Sequence, residues 1–195
     1  MKDRVKAILD ELKSTTAWLA AVIVTTAIVT SLNAAKLKLL DADVSRAQAG
    51  LLLFGLSSVV LVHLFRLLTL LRDVMLSKES IDAEVLQSIT WHPWPLNPFM
   101  HSPNAGRPFL DSLGIAALVV LWWLGALAGL RLLRGTEVAH NAGSFALFVL
   151  YGFLGIAVSY AIGKALPLCV PKGSVTRRGL VAFVAFVVGM WFSFQ

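Results

Sequence analysis

The chain has 195 residues, of which 57% are hydrophobic and only 14% charged, against roughly 45–50% apolar and 25% charged in soluble domains. Its mean hydropathy is +0.78, and a water-soluble fold of this length could not hide so much apolar surface. The formal charge of +6 would suggest a nucleic-acid partner in a soluble protein, but the basic residues sit between apolar runs instead of forming a patch. Anionic lipid is their expected counterpart, and no direct nucleic-acid contact is expected. A single cysteine, Cys169, excludes an intramolecular disulfide framework, and no CxxC pair or His/Cys cluster has zinc spacing.

In chain order, residues 2–14 place Val5, Ile8, Leu9 and Leu12 at helical spacing among charged residues. This reads as an amphipathic helix that lies at the membrane surface or extends the first span into solvent. The apolar run over 17–35 is of full membrane length, and Asp10 and Glu11 interrupt the basic region before it, so it reads as an uncleaved first span and not as a secretory signal. Further apolar segments follow over 49–71, 113–133, 144–166 and 179–194. Each is measured against the roughly 20 helical residues that cross a hydrocarbon core. The last is the short one, since 16 residues at the helical rise reach only about 24 Å.

The fold class expected is therefore an all-α integral membrane protein of about five transmembrane helices, forming one polytopic domain over 1–195. Lys and Arg in alternate connections set its orientation. With the N-terminus inside, twelve fall on the inner side (Lys2, Arg4, Lys6, Lys13, Arg66, Arg72, Lys78, Arg107, Lys164, Lys172, Arg177, Arg178) and five outside (Lys36, Lys38, Arg46, Arg131, Arg134). This predicts a cytoplasmic N-terminus, and the short loops and uncleaved start favour a bacterial inner membrane.

The longest connection, 73–112, is then cytoplasmic. Its first part reads as a polar helix with Ser77 as N-cap and Ser80 as a second choice, and with Ile81, Val85 and Ile89 on one face. Its second part holds five of the seven prolines, Pro93, Pro95, Pro98, Pro103 and Pro108, which excludes both helix and central strand. An ordered, extended element carrying Trp91, Trp94, Phe99 and Phe109 is expected there. Its aromatic rings suit the headgroup layer, the lining of a vestibule or, as the functional reading, a docking surface for a neighbouring subunit or a soluble cytoplasmic protein formed by Trp91, His92, Pro93, Trp94, Pro95 and Phe99.

In the second span His63 and Arg66 share a helix face. They read as an interface anchor, as a grip on lipid phosphate, or as part of a pore lining with Thr25, Thr26, Ser57 and Ser58. Small residues recur at packing spacing: Gly125 and Gly129, then Gly155, Ser159 and Gly163, then Ala185 and Gly189. Such rows serve intrachain packing or a homo-oligomeric contact. No acidic residue falls inside an apolar segment, which disfavours a coupled transporter.

HExxH, GxSxG, P-loop and GxGxxG patterns are all missing from the sequence. His63 and His140 fall near opposite sides, which does not suit a haem or metal site. No catalytic residue, cofactor or metal is expected. The leading functional expectation is a non-enzymatic, homo-oligomeric membrane subunit that anchors, senses for or regulates a soluble cytoplasmic partner. By analogy of architecture alone, the setting is a bacterial sensing or anti-phage defence system. The alternatives are an ion or small-solute channel and a membrane-embedded lipid-modifying enzyme.

Overall fold

A computed structural model describes residues 2–31, 36–39, 42–77, 81–101, 110–133 and 142–193. Six helices carry the fold: α1 (Lys2–Ser31), α2 (Arg46–Leu76), α3 (Ala83–Thr90), α4 (Leu110–Leu133), α5 (Ala142–Cys169) and α6 (Lys172–Ser193). Two short strands, β1 (Lys36–Leu39) and β2 (Ala42–Ser45), pair antiparallel between α1 and α2, with Lys36 opposite Ser45. The fold is helical as expected, with this eight-residue hairpin as a local addition among the described residues. Its sequence alternates Lys and Leu, the period of a strand.

Four helices are long and apolar enough to cross a membrane, over Lys2–Val29, Gln48–Leu76, Asp111–Arg131 and Phe145–Cys169. They point to a multi-pass membrane protein. The α6 helix is not among the four, although it begins seven residues before the apolar segment read at 179–194. Its 22 residues correspond to about 33 Å of helix.

Element boundaries differ from the sequence expectation where apolar periodicity continues through charged residues. Residues 2–14 are the helical extension of the first span that the periodicity allowed, with the charged face exposed and the apolar face buried against the bundle. They are the first turns of a single 30-residue α1, and Val5, Ile8, Leu9 and Leu12 are all buried in the main core. Burial of each such side chain contributes about 1.5–3 kcal/mol. Similarly, α2 runs past Arg72 and Asp73 because Val74 and Met75 continue its buried face. Ser77 therefore does not open the next helix. It closes α2, its backbone N–H donating to the Asp73 carbonyl at 3.0 Å and its hydroxyl to that of Val74 at 2.8 Å. The following helix starts at Ala83, with Asp82 in the cap position, and buries Val85 and Ile89 as their spacing requires. Ser80, Phe109, Pro103, Pro108 and His140 lie outside the described residues.

At its other end α2 begins with a capping box. The Ser45 hydroxyl accepts from the Gln48 N–H at 3.2 Å, and the Ser45 N–H donates to Gln48 Oε1 at 3.0 Å, so two orphan donors at the helix start are satisfied.

The helices pack in two groups. One joins α1, α2 and α5; the other joins α4 to α6, and α1 and α2 bridge to α4. α5 and α6 scarcely touch, although only Val170 and Pro171 separate them.

The small residues act through holes that aromatic rings fill. A methyl at Gly129 would collide with the Phe54 ring, one at Gly155 with Trp122, and one at Gly189 with Trp123. At Gly125 it would meet the Tyr151 hydroxyl and, at 3.1 Å, Ile23. Phe54 in turn sits edge-on to Tyr151 and Phe148, with centroids 5.5 and 6.2 Å away, the geometry that aromatic quadrupoles favour. The rows at Gly125, Gly129 and Gly155 thus take up rings of the same chain, and helix backbones do not meet along them. Gly129→Val is expected to lower stability by about 1–3 kcal/mol through overpacking, whereas Gly152→Ala, where an added methyl meets nothing within 4 Å, leaves it nearly unchanged. Thermal unfolding of the two variants in one detergent checks the contrast.

Candidate functional site

The segment 91–101 follows α3 and is held by tight turns. Trp94 N–H donates to the His92 carbonyl at 2.7 Å, and Asn97 N–H to the Trp94 carbonyl at 3.0 Å. Prolines at 93, 95 and 98 remove donors that a helix would need, so the backbone folds through local turns and side-chain bonds. Asn97 supplies two of these bonds: its Nδ2 donates to the Ile89 carbonyl and its Oδ1 accepts from the Phe99 N–H, both at 2.9 Å. Gly114 of α4 lies so close to the Asn97 carbonyl that any side chain there would collide with it.

Two rings of the segment turn inward. Trp94 is 3% exposed, and its indole N–H donates to the Thr16 hydroxyl of α1 at 2.8 Å. That hydroxyl donates onward to the backbone carbonyls of Leu12 or Lys13, at 3.0 and 2.9 Å. Phe99 is fully buried in the same core.

A cation completes the closure. Arg178 near the start of α6 has no exposed surface. Its Nη1 donates to the Pro98 carbonyl at 2.6 Å, its Nη2 to the Met100 carbonyl, and its Nε to the Ser174 hydroxyl at 3.1 Å. Asp111 of α4 adds an opposite charge nearby and also meets His101 Nδ1 at 3.1 Å.

Of the six residues expected to dock a partner, the structure therefore divides the set. Trp94 and Phe99 face the core, His92 is half-buried, and Trp91, Pro93 and Pro95 are exposed. Trp91 is 61% exposed and stands at the rim of a groove of about 360 Å³ lined by Lys2, Lys6, Glu84, Gln87 and His92. The groove has a fixed frame. Lys2 pairs with Glu84, and His92 Nε2 lies 3.1 Å from Asp10 Oδ1.

His63 and Arg66 are brought to the same end of the bundle. His63 Nε2 lies 3.2 Å from Glu11 Oε1 of α1, six residues before the apolar run that opens at 17, while Arg66 is exposed on α2. Both thus stand level with the charged turns of α1. The other residues considered for a pore do not gather with them: the Thr25 and Thr26 hydroxyls donate to carbonyls of their own helix, Ala21 at 2.8 Å and Val22 at 2.7 Å, and Ser57 and Ser58 are buried. Ser159 likewise donates to the Gly155 carbonyl at 2.9 Å, and a methyl at Gly163 would meet nothing within 4 Å.

Sequence reasoning missed Arg178, Asn97, Thr16 and Gly114. Only Arg178 left a signal: Ser174 and Arg178 share a helix face at i, i+4. Among the described residues no three His, Cys, Asp or Glu side chains come together as metal ligands would; His63, His92 and His101 each face one carboxylate. No protein-family model, curated protein or solved structure matches the chain.

The Trp94–Thr16 bond is expected to contribute about 0.5–1.5 kcal/mol. A double-mutant cycle of Trp94→Phe and Thr16→Val, read by thermal unfolding, is expected to give a double variant less destabilised than the sum of the single ones. Strict additivity would show that the bond carries no stability.

Proposed function

We propose that this chain is a non-enzymatic, homo-oligomeric subunit of a bacterial inner membrane that recruits or regulates a soluble cytoplasmic protein. In this reading the N-terminus is cytoplasmic, as the Lys and Arg distribution favours, and α6 crosses as a fifth span. The groove beside Trp91 then faces the cytoplasm together with α3 and the start of α1.

One observation carries the reading: a tryptophan that is 61% exposed stands on a segment whose neighbouring rings are fully committed to the core. Holding Trp91, Pro93 and Pro95 rigid before a partner arrives lowers the ordering cost of binding, and exposed Trp is the residue type most enriched at binding hot spots. Lys2 and Lys6 line one wall, so an acidic or aromatic-bearing surface is the complement. A role in sensing or anti-phage defence follows from the architecture of a small membrane component paired with a cytosolic effector, and stands as part of the proposal.

The test is co-purification with genomic neighbours co-expressed, in nanodiscs, with the assembly mass measured. Trp91→Ala combined with Lys6→Glu is expected to release the soluble partner, by at least about tenfold in affinity for a loss of 1.4 kcal/mol, while the melting temperature and oligomer mass stay as in the wild type. A partner-free wild-type assembly that conducts ions in liposomes would overturn the recruitment reading and favour a pore.

A further inference from the structure

One packing layer joins five helices within the bundle. A methyl at Gly125 of α4 would meet Ile23 of α1 and the Tyr151 hydroxyl of α5. The Tyr151 ring stands edge-on to Phe54 of α2, with centroids 5.5 Å apart, and Trp123 of α4 fills the space beside Gly189 of α6. Depth along each helix can be counted from this layer. Toward the charged turns of α1, the first exposed Lys or Arg is Lys13 on α1, Arg66 on α2, Lys164 on α5 and Arg177 on α6. They stand ten, twelve, thirteen and twelve residues from Ile23, Phe54, Tyr151 and Gly189, or about 15–20 Å of helical rise. Three sets of contacts put all four at one end of the bundle. His63 of α2 meets Glu11 of α1 at 3.2 Å, Cys169 Sγ of α5 lies 3.7 Å from Met75 Sδ of α2, and Arg178 of α6 bonds the segment whose Trp94 reaches Thr16 of α1.

Inside these cations the surface changes character in a fixed order. Exposed rings come first: Tyr160, 63% exposed, lies under the Lys164 ammonium at 5.3 Å, and Trp18, 66% exposed, follows Lys13 by five residues. Beyond the rings the helices carry no Lys, Arg, Asp or Glu over 14–31, 47–65, 112–130, 142–163 and 179–193. Cation, amphipathic ring and apolar surface in succession are what a boundary between headgroups and hydrocarbon selects. On the other side of the layer, Arg46 opens α2 eight residues before Phe54 and Arg131 follows Gly125 by six, about 9–12 Å away. The two charged levels are thus about 24–32 Å apart along the helices, which matches a hydrocarbon core of about 30 Å.

We propose that Lys13, Arg66, Lys164 and Arg177 form a belt that binds the phosphate layer of one phospholipid leaflet and so sets the depth at which the helices cross. Two features identify the partner. The cations lie on four different helices at one level, as a planar layer of phosphates requires and a single bound ion does not. Each also borders an apolar helix surface, from which its long stem can lie on hydrocarbon while the charge reaches a phosphate. Lys2, bonded to Glu84 of α3, precedes Lys13 by eleven residues, so the first turns of α1 and the start of α3 project about 16 Å past the belt into water.

The experiment is spin-label paramagnetic resonance of the full chain in vesicles of phosphatidylcholine and phosphatidylglycerol, with oxygen and a water-soluble nickel chelate as relaxing agents. Single cysteines are introduced at exposed positions on the two sides of the belt: Val62→Cys and Leu70→Cys on α2, Ile156→Cys and Pro167→Cys on α5, Phe183→Cys and Gly173→Cys on α6. Cys169 is buried and stays in place, with the unsubstituted chain as the blank. The first label of each pair is expected to relax mainly with oxygen and the second mainly with nickel. Arg66→Gln, Lys164→Gln and Arg177→Gln together are expected to lower the preference of the lipid shell for spin-labelled phosphatidylglycerol over phosphatidylcholine by at least about twofold, because each surface cation adds to the attraction of anionic headgroups. Should the triple variant fail to fold, each single change is expected to lower that preference in part. The proposal is overturned by a pair whose two labels report the same medium, or by a folded charge variant whose lipid preference equals that of the wild type.

Discussion

Arg178 is the constraint on which the polar end of the bundle depends. Taking a guanidinium out of water costs several kcal/mol unless its donors are met, and here the Pro98 and Met100 carbonyls and the Ser174 hydroxyl meet them. That requirement works in both directions. The cation can be buried only while the chain around Pro98 keeps its carbonyls aimed at α6, and the segment keeps that shape only while the cation is there. Pro98 has no N–H to offer a competing ladder, and the close approach of the Asn97 carbonyl to Gly114 fixes the same turn against α4. With the segment pinned at 98–100, Trp94 is carried to Thr16 of α1 and Trp91 is left outside. The exposed ring is thus a consequence of the buried charge.

Four of the five apolar segments return as helices of membrane length, and they were legible in the sequence because hydropathy over about 20 residues reports directly on what a hydrocarbon core admits. Their polar ends were less legible. Val5, Ile8, Leu9 and Leu12, like Val74 and Met75, continue a helical apolar face among charges, and a hydropathy window averages that periodicity away. Reading the charges as boundaries ended the second span at 71, where the buried face persists to Met75. The glycine rows were recognisable as packing positions, but sequence spacing cannot say whether a backbone or a ring fills the hole. Gly155 and Trp122 are far apart in the chain and meet only because α4 crosses α5.

Within the proline segment the chemistry was visible and the orientation was not. Pro93–Trp94–Pro95 has no period of 2 or 3.6 from which an inward face could be derived, so the two tryptophans, three residues apart, looked equivalent. Long-range bonds separate them: Trp94 finds Thr16 and Trp91 finds no place in the core. Arg177 and Arg178 pose the same ambiguity. Adjacent arginines at a helix start both read as charges on the positive side, and only the presence of the 98–100 carbonyls on one face of α6 makes one structural and leaves the other exposed. The partner of His63 was equally hidden. The polar position of His63 follows from Glu11 across the α1–α2 interface, a contact between residues 52 apart in sequence.

The two ends of the α5–α6 region differ in kind, and the difference bears on what the chain does. Toward the turn, α6 is tied through Arg178 to the segment that presents Trp91. Away from it, α6 leans on α4 through Trp123 and Phe186, with centroids 5.5 Å apart, while α5 leans on α2, so the seam between them closes on neither side. Arg177, one residue before the gripping Arg178, is exposed and takes no part in that grip.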